Sequence, residues 1–392
     1  MSILLFVHDH LFTQSSDNKV YSSGGFPSSL WNKYLNHVST VEVIARTNGI
    51  DEKASEKYII SSHEKVNFHF VESISNPIKL IKNRTKVYKI IFNKVKCADY
   101  IIARLPSENG LIAANIALKL NKPLCIEVVG CAWGALTTHG SLLAKLYAPI
   151  SYLRTRNIIK RSNFILYVTN SFLQSRYPAN NTAKTVCASN VSIHTDSNFS
   201  RIKGANSNRK YIFGLVGNYK AKYKGLDVAI KALAAVNWGE TKFELRILGK
   251  GEPSIYIELA KELGIDSCIH FYNPLPSGKP VLDWLDEIDI YIQPSLIEGL
   301  PRSLIEAMSR GCISLGSDAG GIPELLDSQF LHKAGNVISF KNSIENLIMN
   351  ENNFEYYSSS NIQKAKEYDH KLITERRFDF FDSFIRSKDE NN

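Results

Sequence analysis

The chain has 392 residues, 44% of them hydrophobic and 22% charged, which excludes a disulfide-stapled mini-protein, a coiled coil and a disordered tail. The net charge of +9 is lopsided: residues 1–200 carry 23 basic and 12 acidic side chains, residues 201–392 carry 24 and 26. The six cysteines, at 97, 125, 131, 187, 268 and 312, form no CxxC pair, and no run of about 18 apolar residues occurs, so neither a disulfide framework nor a membrane-spanning helix is expected. The opening MSILLFVHDH lacks a basic segment and a long enough apolar run for a secretory signal, and a cytoplasmic protein is expected.

In chain order, strands are predicted at 3–7, 41–45, 66–71, 100–104, 124–129, 164–169 and 185–189, with helices after Gly24–Gly25 and at 78–96, 108–121, 141–161 and 171–177. Residues 197–209, SNFSRIKGANSNR, are polar and aperiodic and read as an interdomain linker. The alternation restarts with strands at 211–217, 243–249, 268–272, 289–294 and 312–316, and helices at 225–236, 255–263, 279–287, 301–310 and 321–327. From 342 onward the chain reads as helical. Apolar strands alternating with helices indicate parallel sheets covered on both faces. The expected fold is therefore α/β, with two Rossmann-like parallel-sheet domains facing an interdomain cleft. The expected domains are 1–200, 201–368 and a C-terminal helix, 369–392, crossing back onto the first.

The segment QPSLIEGLPRSLIEAMSRG, 293–311, carries the strongest chemistry. A strand ends, a loop holds Glu298 and Gly299, and a helix opens with Pro301 at its expected first position and closes before Gly311. The unpaired N–H groups of Gly299, Leu300 and Arg302 would make an anion site suited to phosphate. Glu298 and Glu306 would accept hydrogen bonds from sugar hydroxyls beside it.

These residues resemble retaining glycosyltransferases of family 4, whose hallmark is EG-x-P-x-x-x-x-EA; the chain reads EGLPRSLIEA. The resemblance implies the GT-B fold, with the nucleotide-sugar donor on the second domain and the acceptor on the first. GNYKAKYKGLDVAIKAL, 217–233, resembles the family's GR-x-x-x-x-KG-x-D segment, with Lys224 and Gly225 on the KG. Asn218 stands where relatives have Arg, so Lys220 or Lys222 would supply that charge. The resemblance casts Glu298 and Lys224 as catalytic. It casts Glu306, Gly299, Leu300, Asn218, Lys220 and Gly217 as donor-binding, with Glu306 on the ribose and Glu298 on the transferred sugar. SDAGGIPELL, 317–326, resembles the family's GG-x-PE turn, in which Glu324 serves as a cap or as a ligand contact.

On the first domain the resemblance implies that Gly24 and Gly25 line the cleft. Relatives have a His after the strand at 124–129; here the chain reads EVVGCAWGALTTHG, leaving His139, Trp133 and Glu127 as candidates for that role. No Asp-x-Asp or His/Cys cluster suggests a metal, and no cofactor is expected, the nucleotide-sugar being a substrate. The expected partners are a UDP-sugar, with a GDP-sugar as alternative, and a glycan or lipid-linked acceptor. The acid-free basic run 78–96 and the cluster 154–161 suit an anionic membrane, placing the protein at the inner face of the cell membrane. A nucleotide-sugar epimerase of the same fold is the rival enzyme, disfavoured by the intact EGLPRSLIEA. A nucleic-acid-binding protein is the non-enzyme rival, disfavoured by the absence of any recognition motif.

Overall fold

The computed structural model describes residues 2–23, 25–74, 77–138, 141–191, 193–194, 210–239 and 242–388, with backbone alone at 77–81. The linker expected at 197–209 lies outside the described residues. By its internal contacts the chain divides into Met1–Ala188 with Ile373–Asn392, and Ser189–Leu372.

The first unit holds β1 (Ile3–Gln14), β2 (Val20–Ser22), β3 (Thr40–Ile50), β4 (Ile59–Ile60), β5 (Val66–Phe70), β6 (Tyr100–Leu105), β7 (Leu124–Val128), β8 (Phe164–Tyr167) and β9 (Lys184–Cys187). Seven of these pair in parallel in the order β5-β3-β1-β6-β7-β8-β9. The two short strands β2 and β4 add an antiparallel extension to the far end of β1. Alternation along each strand feeds two cores. Leu5, Val7, Ile101, Ala103, Ile126 and Tyr167 pack against the helices Pro77–Cys97, Glu108–Lys119 and Leu142–Lys160. Leu4, Phe6, Ile102, Cys125 and Leu166 pack on the other side with Trp31, Tyr34 and the terminal helix His370–Arg386, through Ile373, Phe380, Phe381 and Phe384. The aromatic-rich end of the chain thus completes the first unit's core.

The second unit holds β10 (Lys210–Val216), β11 (Lys242–Leu248), β12 (Ile269–Tyr272), β13 (Ile290–Gln293), β14 (Ile313–Ser317) and β15 (Leu331–His332), all parallel, in the order β12-β11-β10-β13-β14-β15. Its strands carry apolar side chains on both faces, as a parallel sheet buried on both sides requires. Phe213, Leu215, Ile247 and Ile292 face one helix layer; Leu248 and Tyr291 face the other with Leu304, Met308 and Tyr368.

Some expectations shift. The stretch after Gly25 is a 3-10 turn, Ser28–Trp31, and one short helix, Asn32–Leu35, in place of one long helix. The helix expected at 321–327 is only a 3-10 turn, Ile322–Glu324. Pro301 is the residue before its helix, extended at ψ 111, and helical geometry starts at Arg302; the ring cannot donate the N–H an interior position needs.

Candidate functional site

In both sheets the strand order reverses once, at β1/β6 in the first unit and β10/β13 in the second. Loops leaving the carboxyl ends of the strands flanking such a switch diverge and leave a crevice. In the second unit these are the loop after β10, with Gly217 through Gly225, and the loop after β13, with Pro294 through Leu300.

The two loops meet in an ion pair. Lys224 Nζ donates to Glu298 Oε1 at 2.6 Å, both side chains mostly shielded from water. Gln293 Nε2 and Ser295 Oγ also donate to Oε1, at 3.0 and 2.8 Å. All three donors converge on one carboxylate oxygen, and among the described residues Oε2 has no partner. Gln293 is buried, its Oε1 accepting from Tyr291 Oη at 3.1 Å and Ser303 Oγ at 3.3 Å. Burial pushes the Tyr291 hydroxyl up, so it stays a donor. This Tyr291–Gln293–Ser295 chain escaped sequence reasoning. Its signal was two polar groups at alternate positions of an otherwise apolar strand.

Two glycines set the loops. Gly225 has φ +70, and a Cβ there would stand 2.1 Å from the Pro294 carbonyl oxygen. Gly320 has φ +62, and its Cβ would stand 2.0 Å from the Glu298 carbonyl oxygen. Gly321 N donates to Gly299 O at 2.8 Å, so the 317–326 turn clamps the Glu298–Gly299 loop from behind. Glu324 sits in the first turn of the short 3-10 segment.

The helix Arg302–Ser309 has no side-chain cap at its N-terminus. Among the described residues the N–H groups of Gly299, Leu300 and Arg302 have no hydrogen-bond partner, an arrangement that draws anions. Glu306 lies on this helix, half-buried, and its carboxylate has no hydrogen-bond partner among the described residues. Burial raises its pKa above the usual carboxylate range, with Arg302 opposing. Asn218 is exposed and accepts from Lys220 N at 2.8 Å. Gly217 N donates to Leu248 O at 3.0 Å, and a Cβ on Gly249 would meet Gly217 O at 2.0 Å. Lys220 and Lys222 are both exposed, and Lys220 Cγ lies beside Gly251.

The first unit differs. Gly24 and His139 lie outside the described residues; Gly25 backs onto the His10 ring. Trp133 is exposed and meets Tyr152 edge-on with ring centroids 6.2 Å apart. Glu127, a candidate for the missing His's role, is fully buried, which corrects that expectation. Tyr34 Oη donates to it at 2.6 Å and Arg104 Nη1 at 3.3 Å, with Lys33 Nζ at 3.6 Å. Burial would raise its pKa, but Lys33, Arg104 and Arg377 together hold it down to about 2. It is an internal ionic centre with no surface for a sugar.

The second unit's order and crevice are those of a Rossmann-like sheet. Two such units in tandem define the class from which GT-B glycosyltransferases are built. The family described as "Glycosyl transferases group 1" matches residues 210–350, the stretch that carries the Lys224–Glu298 pair. Along nearly its whole length the chain is similar to Protein CapJ of Staphylococcus aureus, 33% identical over 377 residues, covering 93% of this chain and 94% of CapJ. It is also similar to the amylovoran biosynthesis glycosyltransferase AmsK of Erwinia amylovora, 34% identical over 111 residues, 26% of this chain and 27% of AmsK. Among solved structures, Anabaena HepE in complex with UDP aligns with TM-score 0.66 at 15% identity, covering 98% of this chain and 100% of HepE. The chain is a glycosyltransferase and belongs to the group 1 glycosyltransferases.

Proposed function

We propose that the protein is a retaining glycosyltransferase of family 4. In this reading it moves a hexose from a nucleotide-sugar, a UDP-sugar before a GDP-sugar, to a glycan or lipid-linked glycan in cell-surface polysaccharide synthesis. The observation that carries this is the Lys224–Glu298 pair at the β10/β13 switch, beside a helix start with open N–H groups. Lys224 and the amides of Gly299 and Leu300 would take the leaving diphosphate, whose charge grows in the transition state; fixed donors there lower the barrier. Glu298, held through Oε1, would offer Oε2 to a hydroxyl of the transferred sugar. Glu306 would accept from the ribose hydroxyls. HepE, a structural likeness, was solved with UDP, and AmsK is by its name an enzyme of amylovoran biosynthesis; both support the reading.

In the reaction proposed, the donor phosphate takes the acceptor proton, and neither a metal nor a further cofactor takes part. The protein would work in the cytoplasm, at the inner face of the membrane that carries its acceptor. A thermal-shift panel with UDP, GDP and dTDP tests the donor site, since a bound ligand raises apparent stability by mass action. UDP should raise the melting temperature, and no shift with any of the three would overturn the donor site. The anomeric configuration of the product, read by NMR, tests retention. Full activity in EDTA is expected. An epimerase would convert the donor incubated alone, whereas this enzyme should leave it intact apart from slow hydrolysis.

A further inference from the structure

The basic run 78–96, interleaved with an apolar stripe, was expected to offer a basic face to an anionic membrane. The fold uses that stripe elsewhere: Val87, Ile91 and Val95 on the helix Pro77–Cys97 are fully buried in the first unit's core, while Lys82, Arg84, Lys86, Tyr88, Lys89 and Lys96 are exposed. The helix Leu142–Lys160 does the opposite. Its inner face is anchored by Ala148, Ile158 and Ile159, all buried. Tyr147 Oη donates to Glu108 at 2.8 Å and Arg154 pairs with the same carboxylate at 2.9 Å. With that face fixed, Leu142, Leu143, Leu146, Ile150 and Leu153 point outward, each between 53% and 72% exposed. At 3.6 residues per turn these five fall within an arc of about 100° and run along about 17 Å of the helix. These five share one face, and a contiguous exposed apolar surface marks an interaction site.

We propose that this face docks the protein onto an anionic lipid bilayer, the helix lying in the interface with its leucines in the acyl boundary. Charge chooses this occupant. Besides Arg154, which is paired with Glu108, residues 141–161 contain Lys145, Arg156, Lys160 and Arg161 and no acidic residue. Arg156 and Lys160 are exposed and continue the leucine face beyond Leu153, where they meet headgroup phosphates. An apolar face continued by basic residues is the pattern of a helix lying in an anionic interface. Trp133, exposed and packed edge-on to Tyr152 of the same helix, adds an interfacial aromatic. A second copy of the chain fits worse, because a two-fold contact would set this acid-free helix against itself. The inference rests on the reading of the acceptor as a glycan held at a membrane, and it names the surface that brings the enzyme there.

Flotation of the full chain tests it, with vesicles of phosphatidylcholine alone and of phosphatidylcholine mixed with phosphatidylglycerol. The wild type should float with the anionic vesicles and far less with the neutral ones. Leu146→Glu combined with Ile150→Glu should lower the bound fraction about tenfold or more. The circular-dichroism melt and the UDP-induced thermal shift should persist, since both side chains are exposed and outside the donor site. Arg156→Glu with Lys160→Glu should abolish the preference for anionic vesicles. Lys89→Glu with Lys96→Glu, on the helix Pro77–Cys97, should change binding far less. The proposal falls if the wild type does not float, if the Leu146/Ile150 variant floats like the wild type, or if the Lys89/Lys96 variant loses more. It also falls if light scattering shows a dimer that the Leu146/Ile150 variant splits while the wild type ignores vesicles; the face would then belong to a second copy. Vesicle binding without any nucleotide response would sink the donor reading and leave this one standing, and a nucleotide response without vesicle binding would do the reverse.

Discussion

The two sheets share a strand order and a switch point, yet they treat the helix that starts there in opposite ways. In the first unit β1 is irregular between Val7 and Leu11, and Asp9, in that stretch, accepts from Glu108 N at 2.7 Å and Asn109 N at 3.2 Å. Ser107 Oγ accepts from Gly110 N at 3.0 Å. The chain's own oxygens fill that helix start. In the second unit the helix Arg302–Ser309 is preceded by Pro301, which has neither N–H nor capping side chain, and the amides of Gly299, Leu300 and Arg302 have no partner among the described residues. The same topology therefore gives a helix start filled by the chain's own oxygens in one unit and one with open amides in the other. The difference lies in a few residues: a carboxylate at position 9 and a proline at position 301. The charges follow a similar division. The first unit buries a carboxylate among cations at Glu127, which serves folding, while the second keeps its Lys224–Glu298 pair mostly shielded at the crevice with Glu298 Oε2 unpartnered among the described residues.

Substitutions can break this comparison, and the largest effect is expected in the first unit. Glu127→Ala would leave Lys33, Arg104 and Arg377 facing one another and should cost about 3–5 kcal/mol in urea unfolding, with the UDP response intact in whatever remains folded. Because Glu127 is held down to about 2, its contribution is fully present above the unfolded value of 4.5 and is lost as pH falls through that window towards 2. Glu127→Gln should flatten that acid dependence.

Lys224→Ala should do the reverse, lowering kcat/KM by about 10²–10³-fold with little change in melting temperature, and Lys224→Arg should recover part of the loss. Gly320→Ala joins the two currencies. Its Cβ would collide with the Glu298 carbonyl at a left-handed φ, costing at least about 1–2 kcal/mol, and displacing Glu298 should reduce turnover by up to about 100-fold. Asp9→Ala should cost about 1–2 kcal/mol, as the loss of a helix cap does, and leave UDP affinity untouched. A drop in UDP affinity there would break the claim that the first switch point is closed.

Glu306→Gln has the smallest expected effect on the fold. Since burial raises the Glu306 pKa, its charge opposes folding at neutral pH, and stability due to this group rises as pH falls through the raised value. The glutamine variant should melt slightly higher while binding UDP about tenfold more weakly, as the loss of a charged acceptor predicts. In the wild type, calorimetry should show UDP affinity falling as pH drops through the same window, because protonation turns one carboxylate oxygen from acceptor to donor.

Much of the candidate site is legible in the sequence. EGLPRSLIEA fixed the loop and helix bearing Glu298 and Glu306, and KG located Lys224, because glycines and prolines impose local backbone geometry wherever they stand. What could not be read was the partner of each. Lys224 and Glu298 are 74 positions apart, and only the pairing of β10 with β13 brings them to 2.6 Å. The buried Gln293 looked like the end of a strand until Tyr291 and Ser303 were seen to hold its amide. The amphipathic helices mislead for a related reason. Periodicity says that a helix has an apolar face; it does not say what covers it.

The sequence alone determined two parallel α/β sheets, the residue types at the crevice and the absence of a long apolar span. Those features come from local periodicity and from a contiguous motif, which survive any tertiary arrangement. The tertiary structure decided which charges are buried, which helix start is open and which apolar stripe faces water. It buried Glu127 in a cage of cations, filled one switch point with Asp9 and left amides open at the other. It also spent the stripe of Pro77–Cys97 on the core while leaving that of Leu142–Lys160 outside. Each of these depends on contacts between distant segments, because desolvation and pairing are set by neighbours in space and not by neighbours in the chain.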